Sequence, residues 1–228
     1  MIASMASDDD VWFPIVLKLG KDSHALVVGG GEVAANKVEL LLPTHVRITV
    51  LAPDLCPSLQ NHVARGTVIH RQAMAEESNL HELLPGCRLV FTATDDPLIN
   101  RLVTRLAGEM NIPACAVDDP EPSSFITPAI VRRGPVRVAI STAGAAPVLA
   151  RRLREQIEAL LPARLGELAS FMRRLRPKIK IDVPDAVQRR RVWEQFMDGA
   201  GASAAMDMQP DKAEAGPLSP SDAADELL

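Results

Sequence analysis

The 228-residue chain has no tyrosine, and aromatic residues make up 3% of it while 47% of its residues are hydrophobic. A core must therefore be filled by Val, Leu, Ile and Ala, the usual filling of parallel sheets covered by helices. Cysteine is scarce as well. Cys56, Cys87 and Cys115 show neither paired metal-ligand spacing nor a disulfide framework, which fits a reducing cytoplasm. No apolar run approaches the roughly 20 residues of a membrane-spanning helix. Residues 1–10 are acidic and lack a signal-peptide core, so no membrane association and no export are expected. His24, His45, His62, His70 and His81 form no close ligand spacing such as H-E-x-x-H, so no resident metal is expected either.

An excess of positive charge is also missing. The net charge of −4 argues against a general nucleic-acid binder, which needs cations to displace counterions. The distribution says more than the sum. Between Arg151 and Arg191 stand 12 Lys or Arg against 5 Asp or Glu, a local +7 that leaves about −11 for the remainder. The second half should prefer an anionic partner, although a solvated helix face also explains such a run.

The length suits one nucleotide-binding domain plus a smaller companion. Ala25 to Val28 is a short apolar run leading into Gly29-Gly30-Gly31. From Val33 the apolar positions Val33, Ala34, Val38, Leu41 and Leu42 recur at helical spacing until Pro43 and Thr44 stop them. Further strands are predicted at Val46 to Ala52, Val68 to His70, Leu89 to Ala93 and Ala114 to Val117, with a helix through Ile99, Leu102, Val103 and Leu106. Strands alternating with helices imply a parallel, doubly wound α/β sheet, because parallel neighbours need crossover connections. After Pro120 the texture changes. Two more strands are predicted at Ala129 to Val131 and Val136 to Ile140, then a helix opened by Pro147, and helices around Leu165 to Leu175 and Ala186 to Met197. From Gly199 onward no periodicity remains, which predicts a disordered tail.

Gly29, Gly31 and Ala34 fit the pattern G-x-G-x-x-A between a predicted strand and a predicted helix, the context in which it binds a dinucleotide. Gly29 permits the tight turn, Gly31 lets backbone approach a diphosphate, Ala34 lets helix and strand pack, and the helix start offers free N–H groups. The cofactor-binding residues expected are Gly29, Gly30, Gly31, Glu32, Val33, Pro53, Asp54 and Thr94. Asp54 follows the second strand, where an acidic residue meets the ribose, but a solvated loop aspartate reads equally well there. No Arg or Lys stands immediately after that strand to hold a 2′-phosphate, so NAD is preferred to NADP.

Several blocks resemble the precorrin-2 dehydrogenase and sirohydrochlorin ferrochelatase family, the N-terminal module of siroheme synthase. They are Phe13-Pro14-Ile15 with Leu19, Val27 to Lys37, Thr92-Ala93-Thr94-Asp95-Asp96 with Asn100, and Ala116-Val117-Asp118-Asp119-Pro120. Ser124-Phe125-Ile126-Thr127-Pro128, Val138 to Gly144 and Pro147 to Arg151 continue the series. The resemblance covers residues 12 to 198, and it implies a Rossmann domain, a small α/β dimerisation region and a helical C-terminal domain in a homodimer. The expected boundaries are a disordered start at 1–11, the NAD-binding domain at 12–127, dimerisation at 128–160, substrate-side helices at 161–198 and a disordered tail at 199–228. The activity implied is oxidation of precorrin-2 to sirohydrochlorin with NAD, joined in bifunctional members by insertion of ferrous iron, a substrate rather than a cofactor. The methyltransferase domain of full siroheme synthase is absent from the chain, so methylation is expected to belong to another protein.

Aromatising the macrocycle removes a hydride and a proton, and Asp118 matches the family's key aspartate at the end of the fifth strand, where open parallel sheets bind ligands. Asp-Asp-Pro is also ordinary turn chemistry, and Asp119 is a weaker candidate. Substrate-binding residues expected from the resemblance are Asn100, Ser141, Thr142 and Gly144. The last three precede the helix opened by Pro147 and could bind carboxylates at its N-terminus, although Thr142 stands where some relatives have Ser. Two alternatives stay open. One is a dehydrogenase without chelatase activity, and the other a nicotinamide-sensing regulator that binds nucleic acid through the basic half around Arg189-Arg190-Arg191.

Overall fold

The computed structural model describes residues 12–199 and Ala202, so the predicted disordered ends fall almost wholly outside the described residues. Within them the chain divides into two compact units between Thr127 and Pro128.

The first unit is built on five parallel strands: β1 (His24–Val28), β2 (Arg47–Ala52), β3 (Ile69–Gln72), β4 (Cys87–Thr92) and β5 (Ala114–Ala116). Their order is β3-β2-β1-β4-β5, that of a Rossmann sheet in which connections run outward from the first strand on both sides. Successive residues of β1 point to opposite faces, and the core divides accordingly. Ala25 and Val27 pack with Val38, Val50 and Phe91 on one face, while Leu26 and Val28 pack with Leu51, Val90 and Leu106 on the other. A central strand buried on both faces must be continuously apolar, which is why His24-Ala-Leu-Val-Val carries no polar residue after its first.

The first face is covered by α1 (Glu32–Leu41) and α2 (Pro57–Ala64), the second by α3 (Glu77–Leu83) and α4 (Pro97–Glu109). Helix α1 buries Ala34, Ala35, Val38 and Leu41 and ends in a single 3-10 turn at Leu42–Thr44, where the predicted Pro43 stop falls. Helix α4 is set by its start: Asp96 accepts a 2.8 Å bond from the Leu98 N–H and Pro97 occupies the first turn. The crossovers α2 and α3 were absent from the sequence prediction. Each is short and buries one residue, Leu59 or Leu80, too little to make a periodic stripe.

The second unit contains an antiparallel ribbon of β6 (Ala129–Arg133) and β7 (Val136–Ile140), then α5 (Pro147–Leu160), α6 (Leu165–Asp182) and α7 (Ala186–Asp198). The ribbon's turn meets α6 backbone to backbone. A Cβ on Gly134 would lie 2.9 Å from Gly166 Cα, and one on Gly166 2.5 Å from the Arg133 carbonyl oxygen. Helix α6 continues through Pro177 and is thus longer than the periodicity to Leu175 predicted. Phe171 and Ile179 are buried on either side of the proline, against Val192 and Phe196 of α7. The Phe171 and Phe196 rings stack with centroids 5.8 Å apart.

Candidate functional site

Parallel strands all deliver their following loops to one edge of the sheet, and the expected cofactor residues of the first unit gather there. Gly29 turns the chain out of β1 with φ +123°, and its N–H donates to the Leu51 carbonyl at 2.9 Å. A side chain at Gly29 would strike the Ala93 carbonyl oxygen at 2.4 Å, and one at Gly30 the Asp54 carbonyl oxygen at 1.8 Å. These two glycines let the loops after β1, β2 and β4 close on one another. Gly31 differs: its φ is −85°, and among the described residues no atom beyond its chain neighbours lies within 4 Å of where its Cβ would be. Helix α1 starts directly beneath that open space with no side chain capping it, so its first N–H groups remain available to an anion. Ala34, wholly buried, lets α1 lie close to the sheet. Glu32 and Val33 are exposed in the first turn, where backbone rather than side chain would meet a diphosphate.

On the side of β2 and β3, Pro53 and Asp54 border a cleft of about 380 Å³ whose other walls are Leu55, Gln60, Val63, Ala64, His70 and Gln72. Among the described residues no lysine or arginine lines it.

Thr94 follows β4 half-buried, and Asn100 lies buried beneath it. The Asn100 Oδ1 accepts from the Thr92 hydroxyl at 2.6 Å, the Thr94 hydroxyl at 2.7 Å and the Thr94 N–H at 3.2 Å, while its Nδ2 donates to the Thr94 carbonyl at 2.9 Å. An amide so occupied braces the loop after β4.

Asp118 follows β5 in a turn closed by the Asp119 N–H on the Ala116 carbonyl at 3.2 Å. Its φ is +64°, a left-handed conformation that aspartate adopts more readily than most residues. Ser123 clamps the turn, its hydroxyl accepting from the Ala116 N–H at 2.9 Å and donating to the Asp119 carbonyl at 2.7 Å. The Asp118 carboxylate is exposed at the same edge as the glycine turn, in the part of the sheet away from the β2–β3 cleft. Burial pushes the neighbouring Cys115 thiol up; Lys37 opposes this and Asp118 adds to it, which places both charges within electrostatic reach of that sulfur.

Lys37 is a residue that the sequence reading passed over. Its Nζ lies 5.6 Å from the Phe91 ring centroid, and among the described residues it makes no ion pair. The available signal was a lysine sharing the Ala34, Val38 and Leu41 stripe of α1. Among the described residues no three His, Cys, Asp or Glu side chains gather as a metal cluster.

In the second unit, Ser141, Thr142 and Gly144 lie in the loop between β7 and α5. The Ser141 hydroxyl accepts from the Ala143 N–H at 3.1 Å and the Thr142 hydroxyl from the Ala146 N–H at 3.2 Å. Ala143 and Gly144 are both left-handed, with φ of +54° and +82°. Helix α5 opens with Pro147 and carries no side-chain cap. The described residues contain no helix long and apolar enough to cross a membrane.

Three family models match in succession. One described as "Putative NAD(P)-binding" covers residues 15–129, one described as sirohaem biosynthesis protein central covers 133–160, and one described as sirohaem synthase dimerisation region covers 164–216. The dimerisation description therefore sits on residues that the sequence reading gave largely to substrate-side helices, and the central region on residues it gave to dimerisation. The siroheme synthase of Gluconobacter oxydans is 55% identical over 207 residues, 91% of this chain and 44% of that protein. That of Gluconacetobacter diazotrophicus is 54% identical over 197 residues, 86% of this chain and 42% of that protein. The chain thus spans less than half the length of these curated relatives. A solved precorrin-2 dehydrogenase shares the fold, with a TM-score of 0.69 at 21% identity over 90% of this chain and 100% of that one.

Proposed function

The chain belongs to the family described as putative NAD(P)-binding, with two shorter sirohaem matches following it, and from that premise we propose that it oxidises precorrin-2 to sirohydrochlorin with NAD as hydride acceptor. The observation that carries the reading is the shared edge of one sheet, where an open, uncapped glycine turn precedes α1 and an exposed aspartate is fixed in a left-handed turn after β5. The residues fit a dinucleotide: among the described residues none outside the turn itself fills the space at the Gly31 Cβ position, and α1 starts there without a side-chain cap on its first N–H groups.

Each residue then has a task. Gly29 and Gly30 hold the loops, Gly31, Glu32 and Val33 offer backbone N–H groups to the diphosphate, and Pro53 with Asp54 meets the adenosine ribose. The absence of lysine and arginine from the cleft lining favours NAD over NADP, since a 2′-phosphate needs a cation. Thr94, braced by Asn100, shapes the floor toward β4. Bound nicotinamide supplies the hydride acceptor. Asp118 accepts the proton that leaves the macrocycle, and its clamped turn keeps the carboxylate from swinging away. Ser141, Thr142 and Gly144 serve the substrate's carboxylates, in a unit whose helices carry the basic excess. Two copies assemble as a homodimer, for which the matched segment 164–216 is the first to test.

The test is direct. NAD and NADP are each titrated into the chain by calorimetry, then supplied with precorrin-2 under anaerobic conditions. NAD should bind the tighter of the two and support turnover; NADP binding more tightly would contradict the cofactor assignment, and no turnover with either would contradict the activity.

A further inference from the structure

The dinucleotide reading leaves one ionisable side chain of the cleft without a role. His70 lines it from β3, on the same face as Gln72, because alternate residues of a strand share a face. Parallel register sets His70 beside Val50 and Gln72 beside Ala52, at the last residue of β2 before Pro53 and Asp54. The His70 Nε2 lies 2.9 Å from the Ala52 carbonyl oxygen. A carbonyl only accepts, so Nε2 must be the nitrogen that carries the proton. In the neutral ring Nδ1 is then an acceptor, and no described residue donates to it. Gln60, the nearest rival in the cleft, has its amide nitrogen tied to the Leu55 carbonyl at 2.8 Å.

A half-buried ring with its hydrogen-bond sense fixed from behind is a device for telling a donor from an acceptor. We propose that His70 selects the base of the dinucleotide, its Nδ1 accepting a hydrogen bond from the exocyclic amine of adenine. The cleft has the composition for a purine. Leu55, Val63 and Ala64 give apolar walls, Asp54 stands where the ribose would enter, and about 380 Å³ falls at the lower end of ligand pockets. Hypoxanthine replaces that amine by a carbonyl, which would set acceptor against acceptor at Nδ1. Ring rotation offers no escape without giving up the bond to Ala52. The inference rests on the dinucleotide reading and adds to it a discrimination at the base.

The experiment is a calorimetric titration of the full chain with NAD and with nicotinamide hypoxanthine dinucleotide, which share every other group. The wild-type chain should bind the hypoxanthine analogue about tenfold more weakly, or about 1.4 kcal/mol. His70→Leu should bring the two affinities within about twofold, by weakening NAD rather than by strengthening the analogue. Arg71→Ala, on the opposite face of β3 and outside the cleft lining, should leave the wild-type ratio in place. Equal affinities in the wild-type chain overturn the base-selection role while leaving the dinucleotide site standing, whatever the variants do. Failure of both ligands to bind overturns the dinucleotide reading itself and this inference with it.

Discussion

Adjacent glycines should fail in opposite ways. At Gly30 an added Cβ would sit 1.8 Å from the Asp54 carbonyl oxygen, in the loop leaving β2, and 3.0 Å from the Cβ of Ala52, the last residue of that strand. Because the first of them is backbone, relief requires that loop to move by more than an ångström, which endangers the 2.7 Å bond from the Cys56 N–H to the Gly30 carbonyl. Overpacking costs about 1–3 kcal/mol and the strained hydrogen bond about 1 kcal/mol, so Gly30→Ala should destabilise by about 2–4 kcal/mol. In a chain of this size that lowers the melting temperature by about 5–15 °C. At Gly31 nothing lies within 4 Å of the new methyl and φ is an ordinary −85°. The poorer cap and the stiffer unfolded chain nearly offset, keeping Gly31→Ala within about 1 kcal/mol of wild type. Its methyl instead occupies the space assigned to the diphosphate, and NAD affinity should fall at least about tenfold, or about 1.4 kcal/mol. Thermal melts read the first quantity and calorimetric titration the second. A stable Gly30→Ala would refute the loop geometry, and a Gly31→Ala that binds NAD normally would refute the cradle.

Four further outcomes are expected. Asp118→Asn keeps a side chain that tolerates φ +64° but removes the proton acceptor, so NAD affinity should be unchanged while precorrin-2 turnover falls by about 100-fold or more; unchanged turnover removes Asp118 from the mechanism. Asn100→Leu strands the buried Thr92 hydroxyl and loosens Thr94, and chemical denaturation should show a loss of about 2–3 kcal/mol; an unaffected midpoint contradicts the bracing role. Burial, reinforced by Arg47, holds the His24 imidazole below its ordinary value of 6.5. The unfolded chain then takes up the proton first as pH falls, so this stabilising contribution is complete above pH about 6.5 and is lost below it; a melting temperature falling between pH 7.5 and 5.5 should fall less in His24→Gln. Cys87, pushed up to about 11 by burial, and buried Cys115 should react slowly with a thiol reagent at neutral pH, leaving half-exposed Cys56 as the first thiol modified; rapid labelling of Cys87, mapped by mass spectrometry, would contradict its environment.

The parallel sheet was legible because its strands announce themselves. Leu26 and Val28 have to be apolar on one face and Ala25 and Val27 on the other, and the glycines that follow leave only one way out of β1. What periodicity could not reveal were α2 and α3, whose single buried leucines carry no stripe, and the passage of α6 through Pro177, which depends on packing against α7 far along the chain. At the candidate site, sequence position put Asp118 after β5 but could not give its left-handed backbone or the Ser123 clamp. Asn100 was expected at the substrate from the resemblance alone; that it also ties down Thr94 shows only in the paths of its hydrogen bonds. Gly30, taken for a cofactor contact, is also required by the approach of Asp54, a long-range contact invisible along the chain. His70 was weighed only as a metal ligand and Lys37 was passed over for the same reason: each becomes informative only once its neighbours across the sheet are known.

The central claim is that hydride and proton leave one macrocycle at the carboxyl edge of this sheet, the hydride to NAD. A single anaerobic incubation of the chain with precorrin-2 and NAD, following NADH and sirohydrochlorin together, tests it most directly. The account predicts one NADH for each sirohydrochlorin formed, with both signals lost in Gly31→Asp. Sirohydrochlorin appearing without NADH, or in equal amount from Gly31→Asp, would contradict it.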